Sequence, residues 1–151
     1  MKHLTTLLCL ALLNLVAVNG KAQNIAGSRP ALFASFPSSI DISAVNLDNI
    51  FAIAEKQNVN VSLANGFVLS GPVTSKLAKY SNLQTMVIRL LNFSNTLFSL
   101  SKQTDQNNNS VFVGRILNPL YADGFELQQK PDGNYQLIKT DTEKIFVTCN
   151  Q

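Results

Sequence analysis

Thr85-Met86-Val87-Ile88-Arg89-Leu90-Leu91-Asn92-Phe93 is the stretch on which the fold turns. Side chains alternate across a strand with period two, so Met86, Ile88 and Leu90 take one face and Val87, Leu91 and Phe93 the other. Both sets are apolar. Residues 111–117 repeat the pattern, with Val111, Val113 and Leu117 opposite Phe112 and Ile116. Strands of this kind are read as covered on both faces. Four coverings are open: a sheet that curls on itself, an apolar arm folded across it, a docked second subunit, or an apolar ligand in the gap.

Outward from these two strands the chain reads as strand after strand. Alternation marks residues 39–44, 59–63, 67–73, 83–93, 95–102, 110–117, 125–130, 134–140 and 143–149. Asn65-Gly66 supplies the residues of a tight hairpin turn, and Pro131-Asp132-Gly133 is a second strong turn signal. Residues 103–109 are polar and Asn-rich, a mobile loop by composition. Connections this short imply antiparallel pairing, because a parallel return needs a crossover of about a dozen residues or more.

The period changes once. Leu47, Ile50, Phe51 and Ala54 fall at helical spacing and predict a helix over residues 47–57. Asn46 is its expected N-cap, Asp48 falls in its first turn where the dipole favours a negative charge, and Asn58 is its left-handed stop. The expected class is therefore α+β: one short helix packed on a meandering, curled antiparallel sheet of six to eight strands. Ahead of it, residues 23–38 read as an arm punctuated by Gly27, Pro30 and Pro37, whose Leu32, Phe33 and Phe36 need an apolar place to go.

The N-terminus decides what remains to do chemistry. Met1-Lys2-His3 is a basic start, residues 4–18 are an apolar run, and Gly20 and Ala22 are small residues placed for a signal peptidase, with cleavage expected after Ala22. An apolar run of about 15 residues is shorter than the roughly 20 needed to cross a bilayer as a helix. Cys9 lies before most of that run, which argues against a lipid-anchored cysteine. The expectation is a leader over residues 1–22, the arm, and a single α+β domain over residues 39–151, secreted or periplasmic and with no membrane span.

Removal of Lys2 and Lys21 takes the count of Lys and Arg from 12 to 10 against 9 Asp and Glu, a net charge of +1. Charges that few and that scattered leave no electrostatic footprint for nucleic acid. His3, the one histidine, leaves with the leader, and with it go imidazole-dependent hydrolases and histidine-ligated metals. Cys149 is then the single thiol, so neither a disulfide nor a thiolate cluster is expected; on a strand it shares a face with Ile145 and Val147 and reads as a small buried apolar residue. No cofactor and no metal site are implied.

Other chemical motifs are weak. Gly71-Pro72-Val73-Thr74-Ser75-Lys76 has the ingredients of a phosphate loop in the wrong order. Ser99-Leu100-Ser101-Lys102 matches a Ser-x-x-Lys spacing that works only on a helix. Asn60-Val61-Ser62, Asn92-Phe93-Ser94 and Asn108-Asn109-Ser110 fit the glycosylation acceptor pattern. Asp123 and Glu126, near Tyr121 and Arg115, are the carboxylates from which a hydrolase would be built, although Asp123-Gly124 reads first as turn chemistry and Glu126 as a solvent-facing strand residue. Arg89, between Val87 and Leu91 in a doubly apolar strand, is expected to be buried and paired with a carboxylate or a bound anion.

No catalytic residue set results. The sequence supports an exported, non-enzymatic binding or assembly domain, with a protein partner or self-association, and Arg89, Arg115, Tyr121, Asp123 and Glu126 as candidate ligand-binding residues. Two alternatives have structural signatures. A carboxylate-dependent hydrolase needs two carboxylates about 5 to 9 Å apart in a cleft. A carrier of a small apolar ligand needs a pocket lined by Met86, Ile88, Phe98 and Ile116, whereas a protein-binding domain needs a flat exposed apolar patch.

Overall fold

A computed structural model describes residues 29–143. The leader, the first six residues of the arm and all of the expected last strand after Glu143, Cys149 included, lie outside the described residues. Strands β1 (Ser39–Ile42), β2 (Asn58–Ser62), β3 (Val68–Tyr80), β4 (Leu83–Leu90), β5 (Thr96–Thr104), β6 (Ser110–Leu117), β7 (Asp123–Gln129) and β8 (Tyr135–Asp141) form one sheet, with helix α1 (Ala44–Ala52) between β1 and β2. In space the order is β1-β8-β7-β6-β5-β4-β3-β2, antiparallel throughout. The sheet curls into a half-barrel that carries the helix, so the expected class and strand number hold.

The curl has local causes. β3 runs 13 residues and serves two partners: residues 68–72 pair with β2, and Val73 onward with β4, across register shifts at Val73/Ser75 and Ala78/Tyr80. Such bulges bend a strand and increase its twist. At Gly71 (φ 155°) the backbone of β3 meets that of β4 so closely that a Cβ would lie 1.9 Å from the Arg89 carbonyl oxygen. Only glycine fits there.

α1 starts and stops earlier than its apolar spacing predicts. Ser43 is the N-cap, its hydroxyl accepting from the Asn46 N–H at 3.1 Å, so Asn46 lies inside the helix and Asp48 beyond its first turn. At the other end the Lys76 ammonium donates to the carbonyls of Phe51 and Ile53, terminal acceptors that a longer helix would have used itself. Lys56, not Asn58, takes the positive φ (69°), and its N–H donates to Val73 O at 2.8 Å as the chain enters β2. Leu47, Ile50 and Phe51 form the buried stripe as expected, but Ala54, its expected fourth member, lies beyond the helix and is exposed.

Among the described residues only one face of the sheet is covered, which overturns the reading of β4 and β6 as doubly buried. Met86, Ile88, Leu90, Phe98, Leu100, Phe112 and Ile116 line the concave side and are at most 3% exposed. On the convex side Val113 is 59% exposed and Val111 42%, while Arg89 is exposed and not buried. Two of the four coverings act together on the same side: the sheet curls, and the arm enters the curl. Phe33 is fully buried and meets Phe93 and Phe125 edge-on at 5.0 Å; Phe36 meets Phe67 at the same distance.

The sheet is thin between β6 and β7, where only Arg115 and Ile116 pair across. The buried Phe112 N–H therefore finds its acceptor in the Tyr135 hydroxyl at 3.1 Å. The Asn-rich segment after β5 forms a turn around Asp105: its carboxylate accepts from the N–H groups of Asn107 and Asn109, both at 2.8 Å, and from the Asn109 side-chain amide at 3.0 Å. No helix among the described residues is long and apolar enough to cross a membrane.

Candidate functional site

Polar side chains hold the arm in the mouth of the half-barrel. Asp123, at the start of β7 and 8% exposed, accepts from the N–H groups of Leu32 at 2.6 Å and Phe33 at 2.9 Å. Lys139 on β8 donates to the carbonyls of Phe33 at 2.7 Å and Phe36 at 2.6 Å. Arg29 reaches the Pro119 carbonyl and the Thr142 hydroxyl, and its N–H donates to Glu143. Backbone groups that an irregular segment brings into a buried place need partners, and Asp123 and Lys139 supply them from the sheet.

The five candidate ligand-binding residues do not converge on one site; of the five, Arg115 and Glu126 are brought together. Asp123 is an anchor for the arm. Glu126, an odd number of residues further along β7, projects to the opposite face and pairs with Arg115 of β6 at 3.0 Å. The two carboxylates of the hydrolase reading are thus not brought together. Tyr121 is half-buried in the β6–β7 connection, where its carbonyl accepts from the Thr142 hydroxyl at 2.9 Å. Arg89 stands on the convex face opposite Leu97 of β5 and makes no ion pair among the described residues. The four side chains named for a carrier pocket, Met86, Ile88, Phe98 and Ile116, belong to the packed core.

Lys139 and Lys76 carry a sequence signal of their role. Each sits in the inward-facing register of its strand, Lys139 in step with Tyr135 and Leu137, and Lys76 opposite Met86. A lysine in the inward register signals carbonyl groups that need a donor.

A cleft of about 260 Å³ opens beside α1, with polar walls from Asp48, Ser81, Asn82, Gln84, Lys102 and Thr104. Its two charges neutralise one another, Lys102 pairing with Asp48 at 2.6 Å. No buried side-chain donor or acceptor lacks a partner among the described residues, and none of their His, Cys, Asp or Glu side chains cluster in threes for a metal.

The broad feature is the convex face of β3 to β6. Register sets Leu77, Thr85, Ser101 and Val113 in one row across it, and Ser75, Val87, Ser99 and Arg115 in the next. Leu83, Gln103 and Val111 flank these on one side, and Arg89, Leu97 and Leu117 on the other. Leu77 is 58% exposed, and the charges in these four rows are Arg89 and Arg115, the latter neutralised by Glu126. Compared with models of known families, with curated proteins and with solved structures, the chain matches none.

Proposed function

We propose that this chain is an exported, non-enzymatic binding or assembly domain that docks a protein partner on the convex face of β3 to β6. The observation that carries the reading is the alternation of Leu77, Val87, Leu97, Val111 and Val113 with serine, threonine and glutamine on an open, weakly charged sheet surface. Protein interfaces have an apolar core depleted of charged residues inside a polar rim, and arginine is enriched in them. The arm and α1 fill the concave side, so the convex side is the large sheet surface left to a macromolecule. Export rests on the leader pattern over residues 1–22, with cleavage near Ala22.

Native mass spectrometry of protein purified from its own source tests both parts. The expected result is a chain lacking residues 1–22 and a co-purifying protein that is lost from a Leu77→Lys/Val113→Lys double variant whose circular dichroism is unchanged. Retention of the leader overturns the export reading. A partner that stays bound to the double variant, or none with either protein, overturns the docking face.

A further inference from the structure

Among the described residues the sheet ends in two edge strands, β1 and β2, and they differ. β1 is four residues long, and its outward position Asp41 is charged and paired with Lys130 at 3.2 Å. Short length and charge are the usual protections of an edge. β2 has neither charge nor proline, and it pairs with β3 without a register shift. The N–H of Leu63 donates to Phe67 O and the N–H of Val73 to Gln57 O, so the odd-numbered backbone groups face β3. Those of Asn58, Asn60 and Ser62 face away, and the side chains of all three are exposed.

We propose that two copies of this chain pair through β2, antiparallel about a twofold axis at Asn60, into one continuous sheet of twice the width. The occupant follows from the strand's own sequence, Asn58-Val59-Asn60-Val61-Ser62, which reads the same in both directions but for its last residue. A twofold interface must be self-complementary. In this register Asn60 meets Asn60, Asn58 meets Ser62, and Val59 meets Val61 of the other copy. Asn58, Asn60 and Ser62 then each exchange N–H and C=O with the partner, because hydrogen-bonded pairs recur every second residue. The half-buried Val61 gains the buried Val59 as its cross-strand neighbour on the concave side. β1 of another copy is a poorer fit, since its Asp41 would oppose an uncharged strand. The proposal goes beyond the partner-docking reading, which uses the convex face and not this edge.

A single pair of five-residue strands buries less than the roughly 1,200 Å² of a stable interface, so association is expected between about 10 µM and 1 mM. Sedimentation equilibrium across that range should show a monomer–dimer equilibrium. Amide exchange should slow with concentration at Asn58, Asn60 and Ser62 and stay constant at Ser39 and Asp41. Asn60→Pro removes an edge N–H without touching the β3 ladder, and Asn60→Lys sets two ammonium groups against each other on the axis. Each should weaken association by about tenfold or more, while Leu77→Lys/Val113→Lys leaves it intact. A monomer at 1 mM, association that survives both Asn60 variants, or concentration-dependent protection at β1 overturns the proposal.

Discussion

Two faces of one strand have opposite fates in β6. Phe112 and Ile116 point into the curl and are 3% and 0% exposed, whereas Val111 and Val113, one residue away in either direction, stand 42% and 59% exposed on the convex side. β4 divides in the same way. Alternation shows that a strand has two apolar faces, but side-chain volume shows which is core. Every phenylalanine among the described residues is buried or half-buried, and the convex face carries smaller valines and leucines between serines and threonines. Large apolar groups gain most from leaving water and are committed first to the interior. The residual apolar surface on the other side is what the proposed docking reading rests on.

The most direct way to break this contrast is to truncate one side chain on each side of the sheet. Phe33 fills the mouth of the curl among Phe36, Phe67, Phe93 and Phe125. Phe33→Ala is expected to cost about 3 to 5 kcal/mol of unfolding free energy, as for other buried aromatic truncations. Val113→Ala on the convex face should stay within about 0.5 kcal/mol. Urea denaturation of both variants measures the difference. Equal losses would mean that the convex face is as much a part of the folded core as the concave one.

The two carboxylates of β7 sharpen the same contrast with smaller effects. Asp123 satisfies the buried N–H of Phe33 and the partly buried N–H of Leu32, so Asp123→Ala leaves donors without acceptors and should cost about 1 to 3 kcal/mol. Glu126 meets Arg115 with both side chains substantially exposed, and Glu126→Ala should cost at most about 1 kcal/mol. In hydrogen-exchange mass spectrometry the Asp123 variant should also release protection over residues 29–38, and the Glu126 variant should not. An arm that stays protected without Asp123 would shift its anchoring to Lys139.

Much of this was readable from residue order. Asn65 and Gly66 both take the positive φ that their turn requires, and the strands after α1 follow one another as expected. The second half of β3 was not readable, because its inward register holds Lys76 and Ala78 instead of large apolar residues; the strand persists there through its ladder with β4. The helix start was missed because Ser43, Asn46 and Asp48 all suit a cap, and what selects Ser43 is the distance from β1, which ends at Ile42. Arg89 was misplaced by its apolar neighbours in sequence. Its neighbours in space, Leu97 across the ladder and open solvent above, depend on which face the helix and arm cover. The exposed convex face, on which the proposed docking rests, was illegible for the same reason.

The smallest expected effect lies outside both faces, in the Asp105 turn, and tests whether order there owes anything to apolar burial. Hydrogen bonds from the Asn109 side chain, then from its backbone N–H, hold the Asp105 carboxyl below its usual 3.8 against an opposing desolvation, and the Asn107 N–H adds the smallest contribution. A carboxylate whose pKa is lower in the folded than in the unfolded chain stabilises the fold above the unfolded value, and that contribution fades as pH falls through the folded one. The amide resonances of Asn107 and Asn109 should therefore stay constant from neutral pH down to the ordinary carboxylate range and move only below it. Asp105→Asn, which lacks the charge, should abolish that titration and speed exchange in residues 105–109 without altering the protection of Phe98 or Phe112 in the flanking strands. An inflection above 3.8 would show that the carboxyl is not held by these donors, and loss of protection at Phe98 or Phe112 would show that the turn shares in the stability of the core.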